Sequence, residues 1–331
     1  VTGVSTTIAD GYSTLNITDS WATYSKTGYV AQASGNYKLA MTIYTDADPD
    51  GSNNFYVDRV FLGLAPQVAP IVLDLNGDGQ LSYSQAAMDV NGDGRLDQTA
   101  WAGAQDGVLV WDKRGDGQVK DSSQYAFTQY GGKTDLEGLA AGFDSNGDGM
   151  FDAADEKFAE FAVWQDANGN GVSDAGEVRS LAEVGVSSID LTSDGEQRNP
   201  AEGVSEAGRS TAQLTDGTQM LVADAAFAYN ELAYRINPEG ELSLLGEQMD
   251  LHLSSFVSTH GAIHSVDLSG TGANRLSISL ADVLGTESTL RVLGDADDSV
   301  VLDTAQWTAA GTAQSEGHSY AVYAAVGGQQ L

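Results

Sequence analysis

Within about a hundred residues the chain repeats one short acidic pattern five times, beginning at Asp74, Asp89, Asp112, Asp144 and Asp166. Each copy reads roughly Asp-x-Asn-x-Asp-Gly. Alternating oxygen side chains, closed by a glycine that permits a sharp turn, suit a hard divalent cation, which takes carboxylate, amide and peptide oxygens. One copy would say little, because Asp, Asn and Gly are common turn residues. Five copies fix much of the middle of the chain as loop and point to bound calcium.

The fifth loop fits best. Asp166, Asn168 and Asn170 stand at positions one, three and five, Asp174 at nine and Glu177 at twelve, with Val172 offering its carbonyl at seven. Glu177 is expected to open a helix. The fourth loop has Asp144, Asn146, Asp148, Asp152 and Asp155 in the same places, with Met150 at seven. The first and second lack an acidic twelfth residue. Asp74, Asn76, Asp78, Gln80 and Ser82 form one; Asp89, Asn91, Asp93, Arg95 and Asp97 form the other, and Asp106 could lend a ligand. The third keeps Asp112, Asp116 and Gln118 but has Arg114 where Asn belongs and Lys120 at nine. A cation beside the ion would weaken it, leaving the site empty or completed from outside. Asp46, Asp48 and Asp50 make a further acidic loop, and Asp295, Asp297 and Asp298 a weaker one.

Charge agrees with this reading. Asp and Glu number 47 against 15 Lys and Arg, a formal charge of −32, which repels itself in a compact state unless counter-charge binds. Five to seven calcium ions would return about 10 to 14 positive charges, two per ion. With no basic face to neutralise phosphates, nucleic acid is not an expected partner. No apolar stretch is long enough for a membrane span. There is no cysteine, so disulfides and thiolate chemistry are excluded. Loops of modest affinity need millimolar calcium, which points outside the cell. The chain opens on Val1 without a leader-like stretch and is expected to be a piece of something longer, monomeric as a fragment.

The ends of the chain read as strands, in segments such as 37–44, 55–62, 275–280, 289–293 and 319–324. The middle alternates acidic loops with helical candidates at 135–143, 153–164 and 175–184. The expected fold is mixed α+β. Residues 1–67 and 250–331 form a split β-sandwich, and 68–249 an inserted, calcium-rich α/β domain of short helices, strands and long loops.

Several runs look familiar. Residues 69–79 (APIVLDLNGDG), 99–103 (TAWAG), 106–110 (DGVLV), 163–171 (VWQDANGNG) and 188–192 (SIDLT) resemble repeats-in-toxin (RTX) proteins of Gram-negative bacteria. Together they look like the calcium-dependent peptide-binding domain of giant RTX adhesins, inserted in a split β domain. The resemblance covers about 69–230 best; the glycine-rich nonapeptide repeats are absent. It implies type I secretion, a place on the bacterial surface, and calcium-dependent grip on peptide C-termini of other cells, supporting adhesion and biofilm formation. Trp101, Asp106, Arg114, Arg198 and Arg209 are candidate ligand contacts. A lectin or a non-binding structural spacer are the alternatives.

An enzyme is not expected. His252, His260, His264 and His318 include no His-Glu-x-x-His pattern, and there is no Gly-x-Ser-x-Gly elbow or phosphate-cradling loop.

Overall fold

The computed structural model describes residues 66–331 apart from 247, 270–271, 285–288, 316 and 326–330, together with two short paired strands, Ile8–Ala9 and Tyr12–Ser13. The chain divides into two compact units, Val1–Asn54 and Phe55–Leu331. Strands expected at 37–44 and 55–62, and the loop of Asp46, Asp48 and Asp50, lie outside the described residues.

The described part of the second unit is β-rich with few helices. Its first half is one antiparallel sheet built from short apolar runs. Strands β1 (Ile71–Leu73), β2 (Tyr83–Met88), β3 (Asp97–Ala102) and β4 (Gly107–Trp111) are followed by helix α1 (Asp135–Phe143). Then come β5 (Met150–Asp152), β6 (Phe161–Trp164), β7 (Val178–Ser180), β8 (Val186–Asp190), β9 (Val204–Leu214) and β10 (Gln219–Glu231). Across the sheet the order is β7-β6-β4-β1-β10-β9-β8-β5, and the β2–β3 hairpin pairs with the far end of β10. The central strands β1, β4 and β6 are apolar and buried on both faces, since each side of the sheet carries its own core. On one side Trp101 meets Trp164, Tyr125 and Phe227 at centroid distances of 5.1–5.6 Å. On the other, Leu136, Leu139 and Phe143 of α1 pack on Ile71, Leu109 and Phe161.

Of the three expected helices, only 135–143 forms. Residues 153–164 make a turn, a single 3₁₀ turn and then β6; residues 175–184 are turns around β7. The apolar run Phe161–Trp164 fits a buried strand as well as a helix face, and burial of all four residues decides for the strand. Gly138, an apparent weakness inside α1, is required there. A Cβ would lie 2.2 Å from the Phe127 carbonyl oxygen, so only glycine lets the helix approach that segment.

From Leu232 a third core begins, with parallel pairing. Strands β11 (Glu241–Leu244), β13 (Ser265–Asp267) and β15 (Arg291–Leu293) make one parallel ladder; β12 (Asp250–His252), β14 (Arg275–Ile278) and β16 (Ser299–Leu302) make the other. The chain alternates between the two sheets, and helix α2 (Leu253–His260) bridges β12 to β13. A side-chain ladder ties successive coils: Asn274 Oδ1 accepts the Met249 N–H, and Asp298 Oδ1 accepts the Asn274 N–H. The final hairpin, β17 (Trp307–Ser315) with β18 (His318–Ala325), sets Trp307 and Ala325 into this core. Leu232, Tyr234, Leu242 and Leu244 belong to the same core.

Candidate metal loops

The five acidic loops sit at element ends. The first joins β1 to β2, the second spans the β2–β3 hairpin, the third follows β4, the fourth joins α1 to β5, and the fifth spans the β6–β7 hairpin. They share one internal frame. In every loop the glycine at position six donates its N–H to the first Asp, at 2.8–3.0 Å. The N–H at seven goes to the side-chain oxygen at five, at 2.8–3.1 Å. In four loops the N–H at five goes to the Asn at three, at 2.9–3.0 Å. The glycines at four and six all have φ between 63° and 83°, a left-handed geometry that a side chain strains.

The third loop is the exception. Arg114 cannot accept the N–H at five and instead ion-pairs with Asp116 at 2.8 Å, so the loop's own guanidinium occupies one of its carboxylates.

Closure follows a second rule. In the fifth loop Glu177 accepts the N–H groups of positions two and nine, Ala167 and Asp174. In the fourth, Asp155 does the same for Ser145 and Asp152. Glu177 does so from a turn before β7, which corrects the expected helix start. In the first loop, position nine is Ser82, and its N–H and hydroxyl both donate to Asp106 Oδ2, at 2.7 and 2.6 Å. Asp106, from the turn before β4, therefore takes the place of the missing twelfth residue. In the second loop Asp97 accepts the N–H of Val90, position two. In the third the N–H of Lys120, position nine, goes to Gln124, a neutral amide that sequence reasoning missed.

Burial raises the proton affinity of several of these carboxylates. Asp166 is pushed up to about 6, first by desolvation and then by Glu177, against hydrogen bonds that favour its charge. Asp97 also rises to about 6, by desolvation with Asp93 and Asp89 adding repulsion. Asp106 rises for the same first reason, with Asp74 and Asp78 adding to it. Its Oδ1 is buried with no hydrogen-bond partner, beside two further carboxylates. An orphaned anionic oxygen in such company fits a bound cation. The donors are all oxygen, as a hard cation prefers. Among the described residues no three acidic or histidine side chains converge closely enough to hold a metal by themselves. A cation here would therefore also draw on amide and peptide oxygens: Asn76 and Gln80 in the first loop, Asn91 and Arg95 in the second, Asn146 and Met150 in the fourth, Asn168 and Val172 in the fifth.

The candidate ligand contacts are dispersed. Trp101 is fully buried in the core, which corrects its assignment to a ligand surface. Arg209 makes two bonds to the buried Glu206, and Arg198 pairs with Asp194 and Glu196. Both arginines thus spend their charge inside a strand-edge network, joined where Asp194 accepts the Arg209 N–H. Asp295, Asp297 and Asp298 form a turn whose carboxylates cap backbone N–H groups.

Residues 71–228, from β1 into β10 and including all five loops, match the family model of the SPM domain. Over 188 residues the chain is 34% identical to the iron-regulated protein FrpA of Neisseria meningitidis serogroup C, covering 53% of this chain and 16% of that relative. The chain thus spans about a sixth of the length of the curated relative it matches.

Proposed function

We propose that residues 68–249 are a calcium-dependent ligand-binding module of a bacterial surface adhesin, and that their ligand is the C-terminal end of peptides on other cells. The observation that carries the calcium part is Asp106. A buried carboxylate oxygen without a partner, beside Asp74 and Asp78, has no reason to stay charged unless a cation offsets it. Bound calcium supplies positive charge and a coordination position that a peptide carboxylate can share. The chain's own part is to hold its loop oxygens in fixed places, through the shared frame of hydrogen bonds. No step in this scheme is catalytic.

The split arrangement is part of the same proposal: 1–67 and 250–331 as one β-sandwich-like domain, with the calcium-rich part inserted. The separate core after Leu232 supports it and favours a seam nearer Leu232 than 249. An extracellular site follows from the calcium requirement. Among the described residues no helix is long and apolar enough to cross a membrane.

The test is competition. Peptides with a free C-terminal carboxylate should bind in calcium, and their amidated forms should not. Competition by simple sugars would turn the reading to a lectin, and calcium uptake without any ligand would turn it to a structural spacer.

A further inference from the structure

Two of the five loops are also the seat of the C-terminal core. Ser255 of α2 is buried and donates its hydroxyl to the Asn170 carbonyl oxygen at 2.6 Å, and Asn170 is position five of the fifth loop. The fifth loop in turn lies on the end of β2, where a Cβ at Gly171 would sit 2.6 Å from the Ala87 carbonyl oxygen. Ala87 and Leu96, which flank the second loop, are buried within the C-terminal core. Leu96 follows Arg95 of that loop. Its N–H donates to the Tyr234 hydroxyl at 2.9 Å, and its carbonyl accepts the Leu232 N–H. The same hydroxyl, with a lone pair given to Leu96, is left to donate to His260 Nε2 at 2.7 Å. His260 is the last residue of α2. Arg95 lies 4.8 Å over the Tyr234 ring and ion-pairs with Glu231. Helix α2 is therefore held near its start by the fifth loop and at its end by the second.

We propose that calcium in the second and fifth loops fixes the seat of the 232–325 core, so that α2 loosens when these two loops are empty. The proposal rests on the calcium reading above and concerns its regulation. Asp166 and Asp97 are 3% and 1% exposed, and each has other carboxylates close by, Glu177 and Asp89 with Asp93. Without a cation such groups repel one another and draw in water. The parts that would move carry the Asn170 carbonyl and the Leu96 N–H, the two backbone groups that hold α2. A filled loop keeps both in place.

The test uses the whole chain, with hydrogen exchange read on residues 253–260 in calcium chloride and in EGTA, and calcium uptake measured by calorimetry. Chelation is expected to speed α2 exchange by about tenfold or more, as for release of a local unit. Asp166→Asn should lower the calcium count by one and loosen α2 even in excess calcium. Asp148→Asn, in the fourth loop away from α2, should lower the count by one and leave α2 protected. Ser255→Ala should loosen α2 without changing the count. Calcium uptake with no change in α2 exchange would overturn the clasp and leave the calcium reading standing. Absence of any calcium uptake would overturn both, and equal loosening by Asp148→Asn would show general unfolding and overturn the clasp alone.

Discussion

At the residue scale, the loops divide into what is local and what is not. Positions one to seven follow each other in sequence, so their oxygens, glycines and backbone bonds were legible from the pattern alone. Closure was legible only where it is local, at Asp155 and Glu177. Asp106 reaches the first loop from 24 residues beyond Ser82 in the chain, and Gln124 offers no acidic signal. Two substitutions test this division by calorimetry. Asp106→Ala should remove one calcium or weaken its site by at least about tenfold, ~1.4 kcal/mol, since it removes a closing carboxylate. Arg114→Asn should strengthen calcium at the third loop, because it frees Asp116 and restores the acceptor at position three. A different buried carboxylate sets a pH dependence. Asp135 is pushed up to about 7, by desolvation first and Asp224 further down the order, and its Oδ2 has no partner. A folded-state value above the unfolded one means the native protein binds the proton more tightly. Stability from this group is therefore full below about pH 4 and is lost as pH rises through about 7. Asp135→Asn should flatten that loss between about pH 5 and 8, measured as urea midpoints at fixed excess calcium. An unchanged slope would show that Asp135 is not the group responsible.

At the element scale, α1 was legible because Leu136, Leu139 and Phe143 fall on one helical face and Thr134 caps its start. The structure adds a tie that sequence does not reveal: both oxygens of Asp224, on β10, accept the N–H groups of Asp135 and Leu136. The two helices misread at 153–164 and 175–184 show the limit of periodicity in short apolar runs next to acidic turns. The strand candidates at 275–280, 289–293 and 319–324 form, but their parallel pairing has no local signature, because partner strands lie about 25 residues apart. Gly138→Ala tests the packing of α1. Despite the higher helix propensity of alanine, it should destabilise by about 1–3 kcal/mol in chemical denaturation, because the added methyl meets the Phe127 backbone. A stabilised variant would contradict the close approach.

At the scale of the whole molecule, the formal charge of −32 is the dominant fact. At calcium about 10 to 100 times above Kd, each filled loop adds roughly 1.4–2.7 kcal/mol, and five add about 7–14, comparable to the stability of an ordinary domain. Loops joining β1 to β2, β2 to β3 and β6 to β7 pin the strands that carry the two cores of the main sheet. Their loss should be felt throughout it. The most direct measurement is the thermal unfolding midpoint of the whole chain in excess calcium chloride and in excess EGTA. The expected result is a fall of about 15 °C or more on chelation. A midpoint that does not move would contradict the claim that divalent cations hold this fold together.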